Sequence, residues 1–426
     1  MTNEKYIRKY PIFTEEMKKD YTILVPTMLP RHFKIMLGIL NAYGYKTHLL
    51  DNMGQNVINE GLKYVHNDTC YPAQLVIGQM IDALNSGKFD KHKVALMITQ
   101  TGGGCRASNY IHLLRKALEK AGYGYIPVVS LNFSGLEKES AFKITMPILH
   151  RLAYAICYGD LMMDLVNQSK PYEVNAGDSE ALADRWTERL TRQMTTGKLS
   201  RKTAKQNYRL IIEDFAKIPK QGTPKPKVGI VGEIFVKFSP LGNNNLEDFL
   251  VSEGAEVVVP GLLDFCLYTM YNALIDRKLY GYNKKSAIIY KVLLELFASF
   301  QQDLINAIKQ EGSFNPPMPF KEIPPLAEEV ISLGVKMGEG WLLTAEMIEL
   351  IHEGAQNIVC TQPFGCLPNH IVGKGMMKPI KEKYPKANIV AIDYDSGATK
   401  INQENRIKLM LSTAVVTQDK RPMFQK

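Results

Sequence analysis

The sequence predicts an α/β fold with two similar parallel-sheet lobes, an internal duplication carrying helical insertions. Three observations predict it. Short apolar runs alternate with amphipathic stretches and Gly-marked turns, the pattern of strands and crossover helices in a parallel sheet. One phrase is nearly repeated: residues 99–105 read Thr-Gln-Thr-Gly-Gly-Gly-Cys, and residues 361–366 read Thr-Gln-Pro-Phe-Gly-Cys. Each follows an apolar run and precedes an Asn at a similar offset, Asn109 and Asn369. The flanking elements recur too. Gly254-Ala-Glu-Val-Val-Val-Pro parallels Gly44-Tyr-Lys-Thr-His-Leu-Leu, residues 357–360 parallel 94–99, and 387–393 parallel 126–131.

Element by element, residues 1–20 read as an N-terminal extension and 21–135 as the first lobe. Thr22-Ile-Leu-Val-Pro is a buried strand, followed by a helix over 31–43 and a second strand after Gly44. A helix over 72–86, a strand over 93–99, a helix over 107–121 and a strand over 126–131 complete the lobe. Residues 136–222 read as a helical region ending in a linker, Gln221-Gly-Thr-Pro-Lys-Pro. The second lobe spans 223–426. It opens on the strand Lys227-Val-Gly-Ile-Val-Gly and carries a helical insertion over about 264–311. Asn245 reads as a helix N-cap, with Glu247 and Asp248 in the first turn where the helix dipole favours negative charge. Residues 312–325 hold five prolines and read as an extended connection.

Composition is that of a globular chain: 426 residues, 45% apolar and 22% charged. No apolar run reaches membrane-spanning length, and no signal-peptide stretch opens the chain, so a cytoplasmic protein is expected. The net charge of +9 is spread out, and the densest basic stretch, 185–227, lacks interleaved aromatics. A solvated basic surface is therefore expected, with neither membrane nor nucleic acid as partner.

Six cysteines are too few for a disulfide scaffold, and a cytoplasmic chain keeps them reduced. Cys70 precedes Pro72 at a helix start, where a thiolate is stabilised. Cys105 follows three glycines before a helix, and Cys366 follows Gly365 before Pro368. These junctions fall at the carboxyl ends of parallel strands, the usual ligand position in open α/β sheets. Cys360 stands six residues before Cys366. Cys157 and Cys266 read as buried core residues. No Cys-x2-Cys pair is present, which argues against structural zinc, and no Ser/His/Asp set accompanies a nucleophilic thiol. An iron–sulfur cluster fits best. It needs converging thiolates and close backbone approach, which Gly102, Gly103 and Gly104 allow.

These segments, together with Asn67-Asp-Thr-Cys-Tyr-Pro, Gly232-Glu-Ile-Phe-Val-Lys-Phe-Ser-Pro-Leu-Gly-Asn and Gly338-Glu-Gly-Trp-Leu, resemble the 2-hydroxyacyl-CoA dehydratase superfamily. The similarity is to its activase-related branch, in which the module often lies C-terminal to ATPase activase domains, and it runs from about residue 20 to 415. The resemblance implies a 4Fe–4S cluster at the interface of two lobes, or a double cubane in some relatives. It implies a separate ATP-dependent activase that donates a low-potential electron, and an acyl-CoA or other small-molecule substrate that is dehydrated or reduced. A homo- or heterodimer is implied as well. Carried over to this chain, the ligands are Cys70, Cys105, Cys360 and Cys366. Three-thiolate ligation leaves an iron open for substrate. Four-thiolate ligation favours the alternative, a non-enzymatic electron relay or cluster carrier in a larger complex. A zinc-stabilised binding protein is the third reading.

Other residues complete the expected site. Glu233 follows a strand at the carboxyl edge of the second sheet and reads as a proton donor or base, with a capping carboxylate as the competing role. His370 lies one turn after Cys366 and His66 four residues before Cys70, each placed to shuttle protons. Arg106, beside Cys105, offsets cluster charge or meets an anionic ligand. The Trp341 region takes the position in the second lobe that Cys70 holds in the first, and is expected to wall the cleft. No phosphate-binding loop is present, so no nucleotide hydrolysis is expected.

Overall fold

The computed structural model describes residues 10–100, 104–132, 140–196, 199–414, 416, 417, 419 and 421–424. The described residues form two four-stranded, all-parallel sheets flanked by helices. The chain divides into two units, one of Met1–Thr27 with Leu40–Thr145, the other of Met28–Ile39 with Met146–Lys426. Among the described residues, no helix is long and apolar enough to cross a membrane.

The first unit holds β1 (Thr22–Val25), β2 (Lys46–Leu49), β3 (Val94–Gln100) and β4 (Val128–Asn132), in the order β2-β1-β3-β4. Between β2 and β3 lie the helices Gln55–Tyr64 and Tyr71–Asn85; Tyr110–Lys120 connects β3 to β4. The Tyr71–Asn85 helix is apolar nearly all round and buried nearly all round, as such a helix must be. Its approach to Gln55–Tyr64 is set by two glycines. A Cβ on Gly78 would lie 2.1 Å from the Val57 carbonyl oxygen, and one on Gly61 would lie 2.3 Å from that of Gln74.

The second unit repeats the topology with β5 (Lys227–Gly232), β6 (Glu256–Val258), β7 (Asn357–Pro363) and β8 (Asn388–Tyr394), in the order β6-β5-β7-β8. Every residue of β7 is buried, as expected for a central parallel strand covered on both faces. Val231, Ile358 and Ile389 of the sheet pack with Leu343, Met347 and Ile348 of the Gly340–His352 helix. Gly232 holds φ at 145°, and a Cβ there would lie 2.1 Å from Thr361 Oγ1, so β5 can end beside β7 only on a glycine.

The region read from sequence as helical holds the helices Met146–Ser169, Asp178–Thr196 and Arg201–Ala216, which belong to the second unit. The insertion after β6 is a pair of helices, Leu262–Tyr280 and Lys284–Glu311. Asn245 does occupy the N-cap position of the Leu246–Ser252 helix, but at φ 59° its side chain makes no capping bond. Asn243 Oδ1 accepts the Leu246 N–H instead, at 3.1 Å. The end of the proline-rich connection is the helix Ile323–Glu328, because Pro324 and Pro325 stand in its first turn, where no N–H is needed.

The Gly61–Gly78 contact gives a direct check. Gly78→Ala should lower stability by about 1–3 kcal/mol through overpacking against the neighbouring backbone. Denaturant unfolding followed by circular dichroism reads this out, and a variant as stable as the parent contradicts the packing.

Candidate functional site

A crossover helix returns antiparallel to the strands it connects, so its N-terminus lies at the carboxyl edge of the sheet. Side chains that leave strand ends and side chains that open helices therefore meet at one edge of each sheet.

In the first unit that edge carries Cys70 and Cys105. Cys70 is the N-cap of the Tyr71–Asn85 helix, with Pro72 in the first turn, and is 4% exposed. Its Sγ lies 3.1 Å from Tyr110 Oη. Cys105 is the N-cap of the 3₁₀ turn Arg106–Asn109, and its Sγ accepts the Ala107 N–H at 3.5 Å. That turn runs directly into the helix opened by Tyr110, so Tyr110 links the Cys70 helix to the segment that Cys105 begins. Gly104 and Arg106 are exposed beside Cys105. Gly102 and Gly103 lie outside the described residues. His66 is exposed, with Nδ1 3.4 Å from Asp68.

In the second unit Cys366 follows β7 as Cys105 follows β3. It is the N-cap of the Leu367–Val372 helix, has Pro368 in its first turn, and is 6% exposed. His370 is exposed on this short helix, and its backbone N–H donates to the Cys366 carbonyl at 3.2 Å. Cys360 is placed differently. It lies wholly buried in the core cluster with Leu343, Met347 and Val372, and burial pushes its thiol up to about 12. A thiolate is disfavoured at that position.

The helix that leads into β7, Gly340–His352, corresponds to the helix that leads into β3. Its N-cap position holds Glu339 where the first unit has Cys70. Glu339 Oε1 accepts the Ile234 N–H at 2.9 Å, and Glu233 Oε2 accepts the Val236 N–H at 2.9 Å. Two carboxyls thus grip the first turn of the Ile234–Phe238 helix at the carboxyl edge of β5. Desolvation, then the neighbouring Glu339 charge, push Glu233 up to about 8. It is thus the capping carboxylate, and its carboxyl is held above the ordinary carboxylate range. A Cβ on Gly338 would touch Pro368 at 3.0 Å, so the Glu339 loop packs on the helix that Cys366 caps.

Behind this pair, Lys237 Nζ meets Glu346 at 2.9 Å, with both side chains buried. Trp341 is core: fully buried among Tyr268, Tyr271 and Phe320, it donates from Nε1 to Asn272 Oδ1 at 3.0 Å. At the end of β7 the Gln362 side chain is buried with no hydrogen-bond partner on either amide atom among the described residues, and Asn369 Oδ1 likewise has none. Sequence reading missed Glu339, Glu346 and Lys237. The available signal was a pair of carboxylates, Glu346 and Glu349, inside an otherwise apolar helical run.

Among the described residues, no group of three or more His, Cys, Asp or Glu side chains converges closely enough to hold a metal ion. No family model matches the chain, and no curated protein matches it either.

The buried ion pair makes a stability prediction. Lys237→Met leaves Glu346 without its cation and should cost about 3–5 kcal/mol in denaturant unfolding at neutral pH. The double variant Lys237→Met/Glu346→Leu should recover most of that loss. Equal losses in the single and double variants contradict the pairing.

Proposed function

We propose that this chain is an iron–sulfur protein of the 2-hydroxyacyl-CoA dehydratase type. In this reading it works in the anaerobic cytoplasm as one subunit of a homo- or heterodimer. A separate ATP-hydrolysing activase gives it a low-potential electron for radical dehydration or reduction of an acyl-CoA or other small molecule. The observation that carries the reading is the cysteine at the N-cap after the third strand of each sheet, Cys105 and Cys366, joined by Cys70 at a third helix start.

The chemistry of the thiols supports this reading. Cys70, Cys105 and Cys366 offer three soft thiol ligands of low exposure. Each stands where backbone N–H groups and the helix dipole favour negative sulfur, and at Cys105 one such N–H already points at Sγ. Cys360 is left out of the set on its position, in the core cluster with Leu343, Met347 and Val372 and not at a helix start. A 4Fe–4S cluster on three thiolates, or a double cubane, supplies a single low-potential electron when bound. The polypeptide does the rest. Glu233 holds a proton at neutral pH at the carboxyl edge of the second sheet. Exposed His370 stands one turn from Cys366, at the same sheet edge. Exposed Arg106 offers a cation to the phosphates of a CoA ester.

Variants purified without oxygen test this. Cys70→Ser, Cys105→Ser and Cys366→Ser should each lose the broad visible absorbance of an iron–sulfur protein, and Cys360→Ser should keep it. Glu233→Gln should keep the absorbance and lower activase- and ATP-dependent turnover about 100-fold. Full absorbance in all three of the first variants contradicts the ligand set. Undiminished turnover in Glu233→Gln contradicts the proton role, and a reducible cluster that turns over no acyl-CoA selects the electron-relay alternative.

A further inference from the structure

The second unit buries more acid than any ion pair there neutralises. Glu339 stands at the N-cap of the Gly340–His352 helix, Glu346 seven residues on and Glu349 three further. Seven residues make nearly two turns, so Glu339 and Glu346 share a face about 10 Å apart along the axis, and Glu349 follows one turn later. Asp264, from the Leu262–Tyr280 helix, joins them and accepts from Gln301 Nε2 at 2.7 Å. All four side chains are at most 7% exposed. The cation facing them is Lys237, paired with Glu346.

The surrounding charges do not balance this row. Asp160 accepts the Leu262 and Leu263 N–H groups at 2.9 Å and meets His32 at 2.8 Å. Beyond Glu349, Glu353 has Asp164 and Lys227 as charged neighbours. Cys360 faces the row from β7, where its thiol is protonated. Glu349 Oε2, in a side chain 3% exposed, has no hydrogen-bond partner among the described residues. An unpaired buried carboxylate is expensive in a low-dielectric interior, and a carboxyl so placed takes up a proton instead. No metal-binding trio converges among the described residues to serve as counter-charge.

We propose that Glu339, Glu349 and Asp264 form a buried proton store that runs along the Gly340–His352 helix beside the Lys237–Glu346 ion pair and ends on Glu233 at the carboxyl edge of the second sheet. Desolvation is the first cause of an upward shift in every member. Asp264 is pushed up to about 8, Glu339 rises, and Glu349 rises well above the carboxylate range. The store stands on side-chain placement alone. Its use as a source for Glu233 deepens the proposed function, because a reduction takes up one proton with each electron, and a dehydration needs a proton for the departing hydroxide that is returned when the neighbouring C–H is deprotonated.

The sign of the linkage follows. These carboxyls hold protons in the folded chain at pH values where the unfolded chain has released them. Their stabilisation is complete below the ordinary carboxylate range and is lost as pH rises through their raised folded values, about 8 for Glu233 and Asp264.

Infrared spectroscopy of the full chain at neutral pH tests the store whether or not metal is bound. The parent protein should show a protonated-carboxyl C=O band that shifts in D2O and fades as pH rises through about 8. Glu349→Gln and Asp264→Asn should each remove part of it, and Glu339→Gln should move the Glu233 component to lower pH by removing a like charge. Absence of the band from the parent overturns the store, without needing any variant to fold. A band untouched by Glu349→Gln and Asp264→Asn overturns the assignment, and a Glu233 component unmoved by Glu339→Gln overturns the link to the edge.

Discussion

Every strand in a parallel sheet needs a crossover, and the crossover must return antiparallel to the strands. That constraint organises this protein. It gathers the strand ends of β1, β3, β5 and β7 and the starts of their helices at the carboxyl edge of each sheet. Helix starts leave N–H groups unsatisfied, so the edge is rich in donors that favour negative groups. The chain fills those positions with thiols in the first unit, Cys70 and Cys105, and with one thiol and two carboxyls in the second, Cys366, Glu233 and Glu339.

The exchange of Cys70 for Glu339 at matching N-caps separates the two halves chemically. A thiol there offers a soft ligand. A carboxyl there shares the first turn of the Ile234–Phe238 helix with a second carboxyl, and burial raises both. The buried Lys237–Glu346 pair and the carboxyls behind it continue that acidic character into the core along a helix with little access to solvent. A helix buried on all sides is normally apolar on all sides. Gly340–His352 departs from that rule at Glu346 and Glu349, and such local departures concentrate where a protein carries function.

Much of the fold was legible in the sequence. Strand positions followed from short apolar runs alternating with helical stretches and Gly-marked turns, and the sheet-by-sheet repetition followed from the Thr-Gln…Gly-Cys phrase. The N-cap positions of Cys70 and Cys366 were readable because Pro72 and Pro368 mark first turns. Other features were hidden for physical reasons. The capping bond expected from Asn245 passed to Asn243, since a left-handed backbone turns the Asn245 side chain away from the helix start. The orientation of Cys360 depends on strand alternation at the buried centre of a sheet, where an unbroken apolar run gives no sign of which face a residue takes. Glu339 gave no signal of its own, because a single carboxylate two residues before Trp341 in a Gly-rich turn reads as an ordinary helix start.

The central claim is that the thiols at these helix starts hold an iron–sulfur cluster, and metal analysis meets it most directly. Iron and acid-labile sulfide are measured on the unmodified protein, purified without oxygen. The account predicts about four of each per chain, or about eight for a double cubane. Protein that is folded and free of iron and sulfide contradicts it, and leaves the repeated Gly-Cys junctions as architecture alone.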